Sequence, residues 1–308
     1  MEIRRSNRIL VMKQRNKSNQ SSNQPGPSTT SEPNKINHHC QFLKAIGSLL
    51  MNKEYSDLTL LVEDKKIPAH RCILASNSEY FRALFKNNFA EAEQSIIELQ
   101  ETPYDAFCLI LKYLYTGELN LDSLEDQLKQ ETLILSQRYC FEDLEKSLTS
   151  CIVGKIGLEN VLMFYQTAVF YNFTKLVEWC ETFMDVQANQ IINHESFLSM
   201  EPLLLRKTVE RHTFDVEEVE LFKAIVRWLE HNQESLDYKD QLLQCVRFHQ
   251  LSTKDLLNVV RPTRLVDPNV ILDLVTAQVN DPWYEAASPR RGVNKTNDVN
   301  DSFYDDWG

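Results

Sequence analysis

The sequence predicts an α+β domain, a short sheet flanked by helices, followed by an all-α domain. Three observations carry this. A length of 308 residues suits two domains of ordinary size. Strand-like alternation and a Pro-interrupted edge occur only between residues 55 and 99. From Leu158 to about Gln278 only helical periodicity remains. An apolar share of 43% supplies sizeable cores, and only 7 glycines argue against a loop-rich or β-rich fold.

Residues 1–35 are rich in Asn, Ser, Gln, Pro and Arg and bury too little apolar surface to fold alone, so a disordered basic tail is expected there. They hold seven Lys/Arg against Glu2 and Glu32, a net +5, which leaves −16 on the rest of a chain whose total is −11. The overall charge disfavours nucleic acid as a partner. The basic cluster of the tail (Arg4, Arg5, Arg8, Lys13, Arg15 and Lys17) leaves nuclear presence open beside a cytoplasmic location.

Ordered structure is expected from Ile36. Phe42, Leu43, Ile46, Leu49 and Leu50 form a helical stripe. Tyr55–Glu63 reads as a strand, KKIPA as a second and SIIEL (95–99) as a third. Between the second and third lies the organising stretch IPAHRCILASNSEYFRALF (67–85). Ile73, Leu74, Phe81, Leu84 and Phe85 recur at helical steps, and Ser76, Asn77 and Ser78 offer N-cap chemistry ahead of Glu79. It predicts two short helices meeting at a sharp corner, with His70 and Arg71 at the start of the first and His70 structural rather than catalytic. A helix from Pro103 to Tyr115 stops at Gly117, and two more run from Leu124 to Tyr139 and from Phe141 to about Val153. The helices of 153–279 include ENVLMFYQTAVFY, TKLVEWCETFMDV and EEVELFKAIVRWLEHN, with Thr174, Ser252 and Asp267 as caps and Trp179 and Trp228 as core. The closing stretch, 280–308, is polar and acidic with Phe303, Tyr304 and Trp307.

Seven cysteines stand singly with no C-x-x-C pair, which suits reduced thiols inside the cell. No apolar run is long enough to span a bilayer, and no membrane partner is expected. The sequence has no G-x-G-x-x-G, H-E-x-x-H or G-x-S-x-G, so no enzyme, cofactor or metal site is expected. His38, His39 and Cys40 lack a second ligand cluster and make a poor zinc site.

The pattern D-L-T-L-x-V, then P-A-H-R-x-I-L-A-S-x-S-x-Y-F-x-A-L-F and L-K-Y-L-Y-T-G, resembles a BTB/POZ domain over about 36–152. The helical part, 153–279, resembles a BACK domain, notably in EEVELFKAIVRWLEHN and QCVRFHQLS. The phrase LLNVVRPTRL (256–265) brings it nearest to a branch whose members carry two discoidin-type β-sandwich domains after BACK, which are absent up to Gly308.

The resemblance implies a homodimer whose first helix packs on its twofold mate through Phe42, Leu43, Ile46 and Leu50. It implies a charged pocket at Asp57 and Arg71, where an ion pair serving fold and dimer geometry is expected. Members that recruit cullin-3 carry an apolar-x-Glu motif after the x-A-L-F helix; Phe89-Ala90-Glu91 fits, as do Leu99-Gln100-Glu101 and Leu176-Val177-Glu178, and only position singles out the first. Tyr115 matches a further cullin-facing position, and Leu158–Tyr171 resembles the three-box that extends that contact. The implied function is a homodimeric adaptor bringing an unidentified protein substrate to a cullin-3 RING ubiquitin ligase. The alternative is a BTB scaffold or transcriptional co-regulator acting without a ligase.

Overall fold

A computed structural model describes residues 38–86 and 94–280, which fall into two compact units divided between Leu148 and Thr149. The first unit opens with α1 (His39–Gly47). Three strands follow: β1 (Leu58–Val62), β2 (Lys65–Ala69) and β3 (Ile96–Glu98). They form one sheet in the order β2-β1-β3, with β1–β2 antiparallel and β1–β3 parallel. Pro68 lies opposite Thr59 on edge strand β2, where a missing N–H interrupts no further pairing.

Alternation decides the faces. Leu58, Leu60 and Val62 point inward from β1 and meet Ile67 and Ala69 of β2 and Ile97 of β3, all buried. Between β2 and β3 lie α2 (Arg71–Asn77) and α3 (Glu79–Leu84), the two short helices expected at the corner. After β3 come α4 (Tyr104–Thr116), α5 (Asp126–Arg138) and α6 (Glu142–Val153). Gly117 ends α4 in the left-handed region at φ 73°, which its lack of Cβ permits without strain. Gly47 brings the end of α1 against that of α4: a Cβ on it would lie 3.4 Å from Thr116 Cγ2.

The second unit is helical among its described residues. It contains α7 (Val161–Tyr171), α8 (Thr174–Val186), α9 (Ala188–Asn193), α10 (Pro202–Glu210), α11 (Glu218–His231) and α12 (Lys239–Leu243). A helical run over 253–263, α13, carries a π turn at Leu256–Val260, and α14 (Pro268–Asn280) closes the described chain. Ser252 caps α13 by accepting from the Asp255 N–H at 3.1 Å, and Asp267 accepts from the Asn269 N–H at 2.8 Å at the start of α14. Thr174 is instead the first helical residue of α8; Phe173 holds the cap position without a side-chain bond. Trp228 is core, its indole N–H donating to the Met200 carbonyl at 3.1 Å, whereas Trp179 is only half-buried and stacks on Phe183.

The β1–β2 hairpin turns on two residues, Glu63 and Asp64, both at positive φ (47° and 63°). This two-residue geometry follows the twist of the strands but favours Asn-Gly over residues bearing a full side chain. Replacing the pair by Glu63→Asn and Asp64→Gly is expected to stabilise the chain by about 1 kcal/mol in urea denaturation. A loss of stability would show that the two carboxylates hold the turn by contacts of their own.

Candidate protein-interaction surfaces

The corner after β2 is built by long-range hydrogen bonds. His70 is 5% exposed, and its backbone N–H donates to the Tyr115 hydroxyl at 3.1 Å. Its ring Nδ1 lies 2.9 Å from the same oxygen, and Nε2 lies 3.4 Å from the Glu54 carbonyl. One tautomer satisfies all three contacts: Tyr115 donates to Nδ1, and the ring proton sits on Nε2 facing Glu54. His70 is therefore architectural, as its position at the head of a core helix suggests.

Tyr115 corrects an expectation. Its side chain is 1% exposed, so in this protomer it has no surface to offer cullin-3 or any other partner. It braces His70 from inside α4, and burial pushes its phenol up to about 12.

Asp57 and Arg71 correct another. They meet, but not as an ion pair: the Asp57 carboxylate accepts from the Arg71 backbone N–H at 2.8 Å, satisfying an orphan donor at the start of α2. The guanidinium turns elsewhere. Its Nη2 donates to the Gln94 carbonyl, and its Cζ sits 4.7 Å from the centre of the Phe85 ring. Nη1 is buried without a hydrogen-bond partner among the described residues. Geometry separates what residue type suggested, because a short carboxylate reaches the nearest backbone N–H before it reaches a long side chain's far end.

The second half of the corner rests on Ser78 and Tyr139. Ser78 Oγ accepts from the Phe81 N–H at 3.1 Å, capping α3, and donates to the Tyr139 carbonyl at 2.6 Å. The Tyr139 ring stacks on Phe81, with centroids 5.4 Å apart, and its hydroxyl lies 2.6 Å from Thr102 Oγ1. Burial raises this phenol to about 12 as well.

Among the described residues, α1 and a groove of the second unit both expose apolar side chains. On α1, Phe42 is 69% exposed, with Leu43, Ile46 and Leu50 half-buried beside it. In the second unit, α7 and α10 flank a groove of ≈ 390 Å³ with Val169, Phe170, Leu203 and Leu204 among its apolar lining and Gln166, Glu201 and Lys207 among its polar groups. Phe170 is 80% and Leu203 62% exposed. Beside this groove an ionic network ties α7, α8 and the end of α10 together. Tyr165 donates to Glu181 at 2.8 Å, Lys207 lies 3.3 Å from the same carboxylate, and Arg211 pairs with Asp185 at 2.5 Å. Burial and the hydrogen bond to Glu181 hold the Tyr165 phenol well above its ordinary value. Sequence reasoning missed this network, whose members lie up to 46 positions apart.

Phe89 and Glu91 lie outside the described residues. Among the described residues no group of three or more His, Cys, Asp or Glu is placed to hold a metal ion, the cysteines are free thiols, and no helix is long and apolar enough to cross a membrane.

Comparison with known families fits this architecture. A family model described as the BTB/POZ domain matches residues 46–156, and one described as BTB And C-terminal Kelch (BACK) matches 161–261. The chain is a BTB–BACK protein. Among its curated relatives, BTB/POZ domain-containing protein 9 of Homo sapiens is 37% identical over 241 residues, covering 78% of this chain and 39% of that protein. The Drosophila melanogaster protein of the same name is 37% identical over 256 residues, 82% of this chain and 35% of its own. Kelch-like protein 40b of Danio rerio is 30% identical over 202 residues, 65% and 32% of the two chains. This BTB–BACK chain thus spans well under half the length of these relatives.

Tyr115→Phe should cost about 1–3 kcal/mol, because it strips His70 of a buried partner. The raised Tyr115 phenol also predicts a pH signature. The folded chain holds that proton more tightly than the unfolded chain, so the contribution is whole below the ordinary value of 10.0 and lost as pH rises through about 12. Denaturation curves across that window should fall less steeply for Tyr115→Phe; an unchanged slope contradicts the assignment. At the other bond, Asp57→Asn should keep most of the cap and Asp57→Ala lose about 1 kcal/mol, read as the difference in denaturation midpoint.

Proposed function

We propose that this BTB–BACK chain is a homodimeric adaptor that joins cullin-3 to a protein substrate and so brings the substrate to a RING ubiquitin ligase. The observation that carries the reading is the pairing, on one chain, of a BTB and a BACK domain. It performs no bond chemistry; its mechanism is proximity, with two cullin arms held by one dimer.

The exposed face of α1 supports the dimer. Leaving Phe42 69% in water forgoes much of the roughly 1.5–3 kcal/mol that burying such a side chain provides. An isologous contact with a second α1 would recover it twice, once for each Phe42. Leu43, Ile46 and Leu50 would line the same contact.

The cullin contact is assigned to Phe89 and Glu91, by their place between the helix that ends in A-L-F and β3. An aromatic ring there would fill a partner pocket, worth about 2 kcal/mol or more as a central anchor, and the carboxylate would orient it. The groove of α7 and α10 is a surface of the BACK region on which substrate recognition would be sought first. The scaffold or co-regulator reading draws on the basic segment 1–35, with its net +5.

Pull-down of the intact chain by cullin-3 separates the two readings. Wild type should bind, Phe89→Ala with Glu91→Lys should not, and Phe42→Asp with Ile46→Asp should shift sedimentation toward the monomer. Failure of wild type to bind, or equal binding by the Phe89/Glu91 variant, favours the scaffold.

A further inference from the structure

We propose that the groove between α7 and α10 is a self-association surface, closed by the same groove of a second copy of this chain. The contact stands apart from the α1 pairing and from cullin-3. Its shape is self-complementary. Phe170 is 80% and Leu203 62% exposed, and they stand beside a hollow of ≈ 390 Å³ whose lining includes Val169 and Leu204. A projecting ring next to a hollow is what a twofold contact needs, since each copy fills the other. The Phe170 ring is already set edge-on against Tyr171, with centroids 4.9 Å apart, so little of its freedom is left to lose on contact. An apolar patch of this kind with a polar rim marks an interaction surface.

The rim is self-complementary as well. Glu201 precedes α10 and Lys207 lies in its last turn, roughly 9 Å apart along the axis, and both line the groove. A twofold axis across the middle of α10 sets each Glu201 against the Lys207 of the other copy, so both pairs join opposite charges. Lys207 already lies 3.3 Å from Glu181, but its side chain is 53% exposed and keeps donors for a second carboxylate. Area sets the strength. A phenylalanine side chain buries about 150–250 Å², so Phe170, Leu203 and their neighbours supply on the order of half the roughly 800 Å² per partner of a standard stable interface. The contact is therefore reversible and forms at tens to hundreds of micromolar chain. A protein substrate that uses the groove displaces the second copy, so substrate capture and self-association exclude each other.

The test is sedimentation equilibrium of the full chain from about 1 to about 300 µM, as wild type and with Phe42→Asp plus Ile46→Asp. In both, the mean mass should rise with concentration above its value in dilute solution. Phe170→Asp should remove the rise in both while keeping the thermal midpoint, because the side chain it replaces is 80% exposed. Glu201→Lys should move the rise to about tenfold higher concentration. Leu272→Asp, at a 61% exposed apolar residue of α14, is the control and should change nothing. No rise in either background overturns the contact and leaves the groove to a different partner. An undiminished rise in Phe170→Asp overturns its location. Loss of the rise in Leu272→Asp as well shows unspecific apolar association and also overturns it. If the Phe42/Ile46 variant matches wild type in dilute solution while Phe170→Asp still removes the rise, the α1 dimer falls and the groove contact stands.

Discussion

The first unit depends on how one corner satisfies its backbone. Where β2 gives way to α2, and α2 to α3, the chain turns too sharply for its own hydrogen-bond ladder to continue. The N–H groups of His70, Arg71 and Phe81 are met by the side chains of Tyr115, Asp57 and Ser78. Two of these ties bring distant sequence together: Tyr115 is 45 positions from His70, and Ser78 reaches on to the Tyr139 carbonyl 61 positions away. Helices of seven and six residues do not hold in water alone, since nucleation costs more than so few bonds return. They persist because α4 and the end of α5 supply partners for their open ends. The corner is therefore a product of tertiary structure, and Phe85 leaves it with a defined place.

That dependence explains what was legible in the sequence. Local chemistry read well. The glycine after α4 and the aspartate before α14 act through groups within a few residues, so spacing located them, and it narrowed the cap of α3 to Ser76, Asn77 or Ser78, of which Ser78 accepts from Phe81. The two-helix corner and the structural part played by His70 also followed from local pattern. Partners across the fold did not. Asp57 and Arg71 have opposite charges, yet which atoms meet depends on how β1 and α2 are set side by side. The family resemblance points Tyr115 outward, whereas its place four residues after Leu111 sets it on that helix's buried face.

The second unit shows the same division. Helical periodicity marked its elements, and α8 spans the thirteen residues the pattern suggested. The ties among α7, α8 and α10 run through Tyr165, Glu181, Lys207 and Arg211, whose separations are a matter of packing. Such a network, half-buried and multiply bonded, specifies how neighbouring helices sit more than it adds net stability. It leaves Phe170 and Leu203 exposed at the groove between α7 and α10.

The adaptor account stands on two associations, of the chain with itself and of the chain with cullin-3. Light scattering of the intact protein, alone and with excess cullin-3 N-terminal domain, measures both at once. The account predicts a particle of twice 35.9 kDa that takes up two cullin-3 domains. A chain that stays at 35.9 kDa through the micromolar range, or a dimer that takes up no cullin-3, would contradict it.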